Sequence, residues 1–145
     1  MIAPAPADLA AMEASLVGLG DGYEGLAAEL FEAFIAAHPH YAPAFMNSEA
    51  ARERMTRETL EAMLGLAGGE EWVPVAVINF VDLHRNYAAF TAQDYDAWFA
   101  LVVGAMERRA GEAWPDGARA PWDRQSARLC GLVADELAQE WAHRA

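Results

Sequence analysis

The sequence predicts an all-α domain of six or seven helices, and three observations carry that reading. Apolar residues recur three and four positions apart along almost the whole chain. Capping residues, glycines and prolines punctuate it at helix-length intervals. The one β-branched cluster, Val73–Val77, has Pro74 near its start and continues at the helical spacing of Val77, Phe80, Val81 and His84, so it reads as a helix with proline in its first turn. The 145 residues suit one domain, 1–145, without repeat, low-complexity tract or linker, and 54% hydrophobic residues suffice for a substantial core.

After Pro4 and Pro6, Asp8 is expected to cap a short helix that fades into the glycine-rich stretch 18–22. From about Tyr23, Leu26, Leu30, Phe34 and Ile35 define a second helix ending before Pro39. HPHYAPAFMNS, with two prolines, reads as an irregular aromatic corner. Ser48 caps a helix carrying Met55, Thr59, Met63 and Leu66 along one face, stopped by Gly68 and Gly69. The Pro74 helix follows and ends near His84. Thr91 or Gln93 opens the next, with Tyr95, Trp98, Val102 and Met106 on a face before Gly111. The last is expected from about Ala118 to Trp141, with Trp122, Leu129, Val133 and Leu137 inward.

Charge and rare residues exclude several functions. Ten basic against 22 acidic residues give a net charge of −12, which argues against a general grip on nucleic acid or on an anionic membrane. All the basic residues are arginine, so neither a lysine Schiff base nor a P-loop lysine is available. The single cysteine, Cys130, rules out an internal disulfide and a thiolate zinc cluster and is read as a small core residue. A leader with a basic start and a bilayer-length apolar run are both missing, so the expected location is the cytoplasm.

No HExxH, GxSxG, CxxCH or lysine-bearing phosphate loop occurs, and no catalytic residue is assigned. The carboxylate pairs Glu58/Glu61 and Asp94/Asp96 read as solvated faces. Among the histidines, His143 lies in the tail, while His38 and His40 flank Pro39. His84 stands apart, on or beside the apolar face of its helix. Taken alone, such a histidine is more often a hydrogen-bonded core residue than a metal ligand.

Its surroundings change the weighting. The helix AELFEAFIAAHPHYAPAF with its corner, the PVAVINFVDLH segment with Tyr95 downstream, and the PW of APWDRQSARL opening the last helix occur in an order that resembles the globins, specifically the single-domain bacterial globins related to the haem domain of flavohaemoglobins. The resemblance runs from about Tyr23 to Trp141. It implies a globin-like fold of six to eight helices around a haem crevice, with non-covalent haem b as cofactor. A porphyrin needs an apolar crevice between helices, and its iron needs an axial imidazole whose second nitrogen donates a hydrogen bond. His84 resembles that proximal ligand. Phe45 matches the corner phenylalanine on the porphyrin face, and Tyr95 a tyrosine supporting the proximal histidine. Arg57 and Arg85 are expected either to pair with the haem propionates or to be solvated charges. Tyr87 is assigned to the same cofactor site.

On the distal side, Phe31 occupies the place where oxygen-activating relatives usually carry tyrosine. The next distal position falls on Thr56, or on Met55 if the corner carries no insertion, and the one after it on Leu60 or Thr59. Met55 reads either as an iron ligand or as core filling. Such a pocket has few strong donors for iron-bound oxygen. Glu136 or Glu140 would complete the proximal network, and Trp98 and Trp122 read as core anchors without a ligand-binding role.

The expected function is therefore reversible binding of a diatomic gas (oxygen, nitric oxide or carbon monoxide) in storage, delivery or sensing. Nitric oxide dioxygenase turnover is open to the chain only with a separate reductase, and a homodimer is compatible with the sequence. The alternative is a haem-free globin-like module in a regulatory or protein-interaction role.

Overall fold

The computed structural model describes residues 2–45 and 48–144, with the backbone path alone for 140–144. Its described residues form six α-helices and three short 3-10 turns, without a strand. Helix α1 spans Pro6–Leu19, α2 Leu26–Ala37, α3 Glu49–Ala67, α4 Trp72–His84, α5 Ala92–Ala110 and α6 Arg119–Arg144. Helix α6 packs on α5, α3 and α4, α2 lies across α5 and α3, and α1 braces α5 and α6.

Local chemistry explains the boundaries. Ser48 Oγ accepts from the Ala51 N–H at 3.1 Å and starts α3. Thr91 and Asp94 form a reciprocal capping box at α5. Pro74 sits in the first turn of α4, where its missing N–H costs nothing, so the β-branched run continues as helix. Three valines four residues apart, Val73, Val77 and Val81, form its buried stripe. The corner is a 3-10 turn over Pro39–Phe45.

One capping expectation is corrected. Helix α1 begins at Pro6 with Ala5 before it, so Asp8 lies inside the first turn and caps nothing. Its carboxylate instead accepts from Arg124 Nη2 at 2.6 Å and Gln125 Nε2 at 2.9 Å on α6. The Arg124 hydrogen bond leads in holding its pKa below the ordinary range, against the opposing effect of burial.

The core gathers Met12, Leu30, Met63, Leu66, Val102, Met106 and Leu129 around Trp122, all almost fully buried. The Trp122 indole donates to Ser15 Oγ at 2.7 Å, which satisfies its buried N–H. Cys130 is half-buried on α6, and burial pushes its thiol pKa up, in keeping with an inert residue.

Between α1 and α2 the chain turns through Gly20–Tyr23, and Arg109 on α5 holds that turn. Its Nη1 donates to the Gly22 and Glu24 carbonyls at 3.0 and 2.7 Å, its Nη2 to Gly25 at 3.2 Å, and its Nε to Glu29 at 3.0 Å. Arg108 also pairs with Glu29.

Two glycines inside helices should respond oppositely to alanine. A Cβ on Gly18 would collide with the backbone carbonyl of Ala113, whereas one on Gly104 in α5 meets open space. Urea unfolding is expected to show Gly18→Ala destabilised by about 1–3 kcal/mol through overpacking, and Gly104→Ala stabilised by about 0.5–1 kcal/mol through helix propensity. Equal effects at the two positions would contradict the packing described.

Candidate functional site

A crevice with about 100 Å3 of free space opens between α2, the corner, α3, α4 and α5. Its lining is mainly apolar. Helix α2 contributes Phe31 and Phe34, the corner Phe45, and the connection before α5 Phe90. Helix α3 presents Met55, Glu58, Thr59 and Ala62, α4 presents Phe80 and His84, and α5 presents Asp94, Tyr95, Trp98 and Phe99. Leu129 of α6 closes the floor.

His84 stands on this wall because the α4 stripe ends one turn before it. Its Nδ1 lies 2.5 Å from the Phe80 carbonyl oxygen, four residues back. A carbonyl only accepts, so Nδ1 carries a proton, and in the neutral imidazole Nε2 keeps its lone pair. No hydrogen bond to Nε2 occurs among the described residues. The Tyr95 and Phe90 rings flank the imidazole edge-on, with centroids 6.3 and 6.1 Å away. Burial raises the Tyr95 hydroxyl pKa, keeping it a neutral phenol.

The opposite wall is an aromatic lattice. Phe31 lies 4.9 Å from Trp98 and 5.6 Å from Phe45, centroid to centroid, and Phe34 lies 5.5 Å from Phe45. The Trp98 indole donates to Thr59 Oγ1 at 3.1 Å, and that hydroxyl donates to the Met55 carbonyl at 2.9 Å. Both polar groups of this wall are thereby committed. Arg52 braces the corner from outside the lining, donating to the Phe45 carbonyl at 2.9 Å with its guanidinium 5.3 Å from the Phe31 ring centre.

The mouth is tied by Tyr41, whose hydroxyl donates to Asp94 Oδ2 at 2.6 Å. The same oxygen accepts from the Thr91 N–H at 2.8 Å, and His38 Nε2 lies 3.9 Å from Oδ1. Burial pushes Asp94 up, but the bonds from Tyr41 and Thr91 outweigh it and hold the carboxyl below its usual range. Tyr41 is pushed up to about 12 by burial and then by Asp94.

Of the residues singled out from sequence, His84, Phe31, Phe45 and Tyr95 meet at this crevice. Others do not. Thr56 is fully buried off the lining and donates to the Arg52 carbonyl, and Leu60 packs in the core. The α3 face toward the crevice is instead Met55, Thr59 and Ala62, one position round the helix, as the Met55 alternative required. Arg57 is exposed and paired with Glu61, and Tyr87 is 60% exposed. Arg85 donates to the Glu136 carbonyl at 3.2 Å and lies near Asp82. None of these three lines the crevice. Glu136 thus enters through its backbone, and the side chains of Glu140 and His143 lie outside the described residues.

Trp98 packs against the core as expected and also forms a wall of the crevice. Asp94, expected as a solvated charge, is instead a largely buried tie. Tyr95 three positions before Trp98, and the Thr91-x-x-Asp94 box, were the available signals. Phe34, Phe80 and Phe90 carried no signal separating crevice from core.

Among the described residues no cluster of three or more histidine, cysteine or acidic side chains is placed to hold a bare metal ion, and no helix is long and apolar enough to cross a membrane. Comparison with models of known families, with curated proteins and with solved structures finds no match to the chain.

The Asp94 tie has a pH signature. Its lowered pKa stabilises the fold above the ordinary aspartate range, and that contribution is lost as pH falls through the folded-state value. Tyr41→Phe is expected to raise the Asp94 carboxyl titration midpoint, followed by NMR, and to cost about 1 kcal/mol near neutral pH. An unmoved midpoint would show that the hydroxyl does not hold the carboxylate.

Proposed function

We propose that this chain is a haem-binding globin, holding haem b non-covalently in the crevice with His84 as proximal iron ligand. In this reading it binds oxygen or another diatomic gas reversibly, for storage, delivery or sensing. The observation that carries it is the His84 imidazole on an apolar aromatic wall, with Nδ1 held by the Phe80 carbonyl and Nε2 left as a base. Proteins that ligate metals through histidine characteristically fix the second nitrogen this way.

When bound, haem supplies the reversible iron–gas bond; the protein supplies the setting. Phe31, Phe34, Phe45 and Phe90 offer flat apolar surface to a porphyrin and keep water from it. Tyr95 and Phe90 restrain the imidazole plane by contact alone. On the opposite wall Thr59 and Trp98 use their hydrogens on protein acceptors, so a bound gas gains no strong donor there. That favours ligands such as carbon monoxide, whose bond to iron needs little polar support, over oxygen. With Arg57 and Arg85 off the lining, apolar burial and one axial ligand carry the affinity.

A second reading has its own support. Phe31, Phe34, Phe45 and Trp98 pack on one another, and the outer side of α4 exposes Trp72, Val75 and Ile78. Both features suit a haem-free helical module acting through protein contacts.

An absorption titration with haemin distinguishes them. The haem reading expects a sharp Soret band at equimolar haemin that shifts on reduction and again with carbon monoxide. His84→Gly is expected to lose that band while keeping its helical circular dichroism, and added imidazole to restore it. Haemin that gives only the broad band of adsorbed pigment supports the second reading, and unchanged haem affinity in His84→Gly removes the ligand assignment.

A further inference from the structure

The register of α3 leaves one uncommitted soft base in the crevice lining, and it is Met55. We propose that the Met55 thioether is the second axial ligand of the iron, opposite His84, so that the gas site is closed by the protein's own side chain until a gas displaces it. The proposal rests on the haem reading above and adds to it a coordination state and a gate.

Elimination within the crevice supports Met55. The Thr59 hydroxyl is committed to the Met55 carbonyl and to Trp98. The Asp94 carboxylate is held by Tyr41 and Thr91. Glu58 lies at the rim, 56% exposed and 3.7 Å from Arg54. Tyr95 shares the His84 side, its ring edge-on to the imidazole. His38 is off the lining, with Nδ1 on the Phe34 carbonyl at 3.2 Å and Nε2 toward Asp94.

Methionine chemistry agrees with its place. Met12, Met63 and Met106 are completely buried in the core and serve as filling, whereas Met55 is only half-buried and borders the crevice. A thioether brings no charge into an apolar site and needs no proton removed before it binds. Three rotatable bonds let it swing on and off without moving α3. Imidazole–thioether pairs hold haem iron elsewhere and raise its reduction potential, favouring the ferrous form that binds gases.

The consequence is kinetic as well as thermodynamic. Only the fraction with Met55 detached is competent, so apparent gas affinity falls in proportion to that fraction.

The test uses the haemin-reconstituted full chain. The ferric wild type is expected to be low-spin and six-coordinate, with the weak near-infrared charge-transfer band of a thioether–iron bond. Met55→Leu, close in volume, should lose that band, turn high-spin, and bind carbon monoxide faster by about tenfold if one molecule in ten is open. Met55→His should stay low-spin but lose the charge-transfer band, which covers the case of a poorly folded leucine variant. A high-spin wild type, or a low-spin Met55→Leu with its band intact, overturns the proposal while a carbon monoxide-sensitive Soret band keeps the haem reading. Absence of haemin uptake overturns both.

Discussion

The burial of Trp122 is the contact on which the rest of the molecule depends. Its ring is fully enclosed, and its N–H finds Ser15 on α1 across 107 residues of sequence. Losing a side chain of this size from a packed core typically costs about 3–5 kcal/mol, a large share of a small domain's stability. Fixing α6 through Trp122 sets Leu129 and Val133 as the surface on which α3, α4 and α5 pack. The valine stripe of α4 then has one way to bury itself, and the end of that stripe decides where His84 stands.

The crevice lies where this packing gives way to aromatic contacts. Leu129 belongs to both, being core from one side and crevice floor from the other. Around the opening, stiffness comes from polar ties: Arg52 on the corner carbonyl, Tyr41 on Asp94, and Asp94 in turn on the start of α5. An apolar hollow with a hydrogen-bonded rim can keep its shape while its interior stays adaptable. Methionine and phenylalanine, which form most of the adjustable lining, suit that division.

Helical periodicity made the fold legible. The Ser48 and Thr91 caps, the glycine stops after α3 and α5, and Pro74 in a first turn all emerge where local chemistry placed them. His84 was legible for the same reason, as a polar residue on an apolar stripe. What sequence could not supply was rotation. Thr56 and Met55 are neighbours in the chain but lie about 100° apart around α3, and only the packed partner decides which faces inward. Asp8 and Asp94 were misread because their partners, Arg124 and Tyr41, are more than fifty residues away. The arginines assigned to the cofactor failed on the same account: Arg57 found Glu61 one turn along, and Arg85 found a carbonyl on α6.

The absence of lysine acquires a structural meaning at Arg109. With Nη2 also 2.9 Å from the Glu29 oxygen that Nε reaches, its planar head engages four acceptor oxygens: the Gly22, Glu24 and Gly25 carbonyls before α2 and the Glu29 carboxylate on α2 itself. An ammonium has three hydrogens on one centre and would strand part of that array. The bonds span about eighty positions of sequence, from 80 at Glu29 to 87 at Gly22. The segment joining the first two helices is therefore tied to a helix far along the chain through one planar side chain.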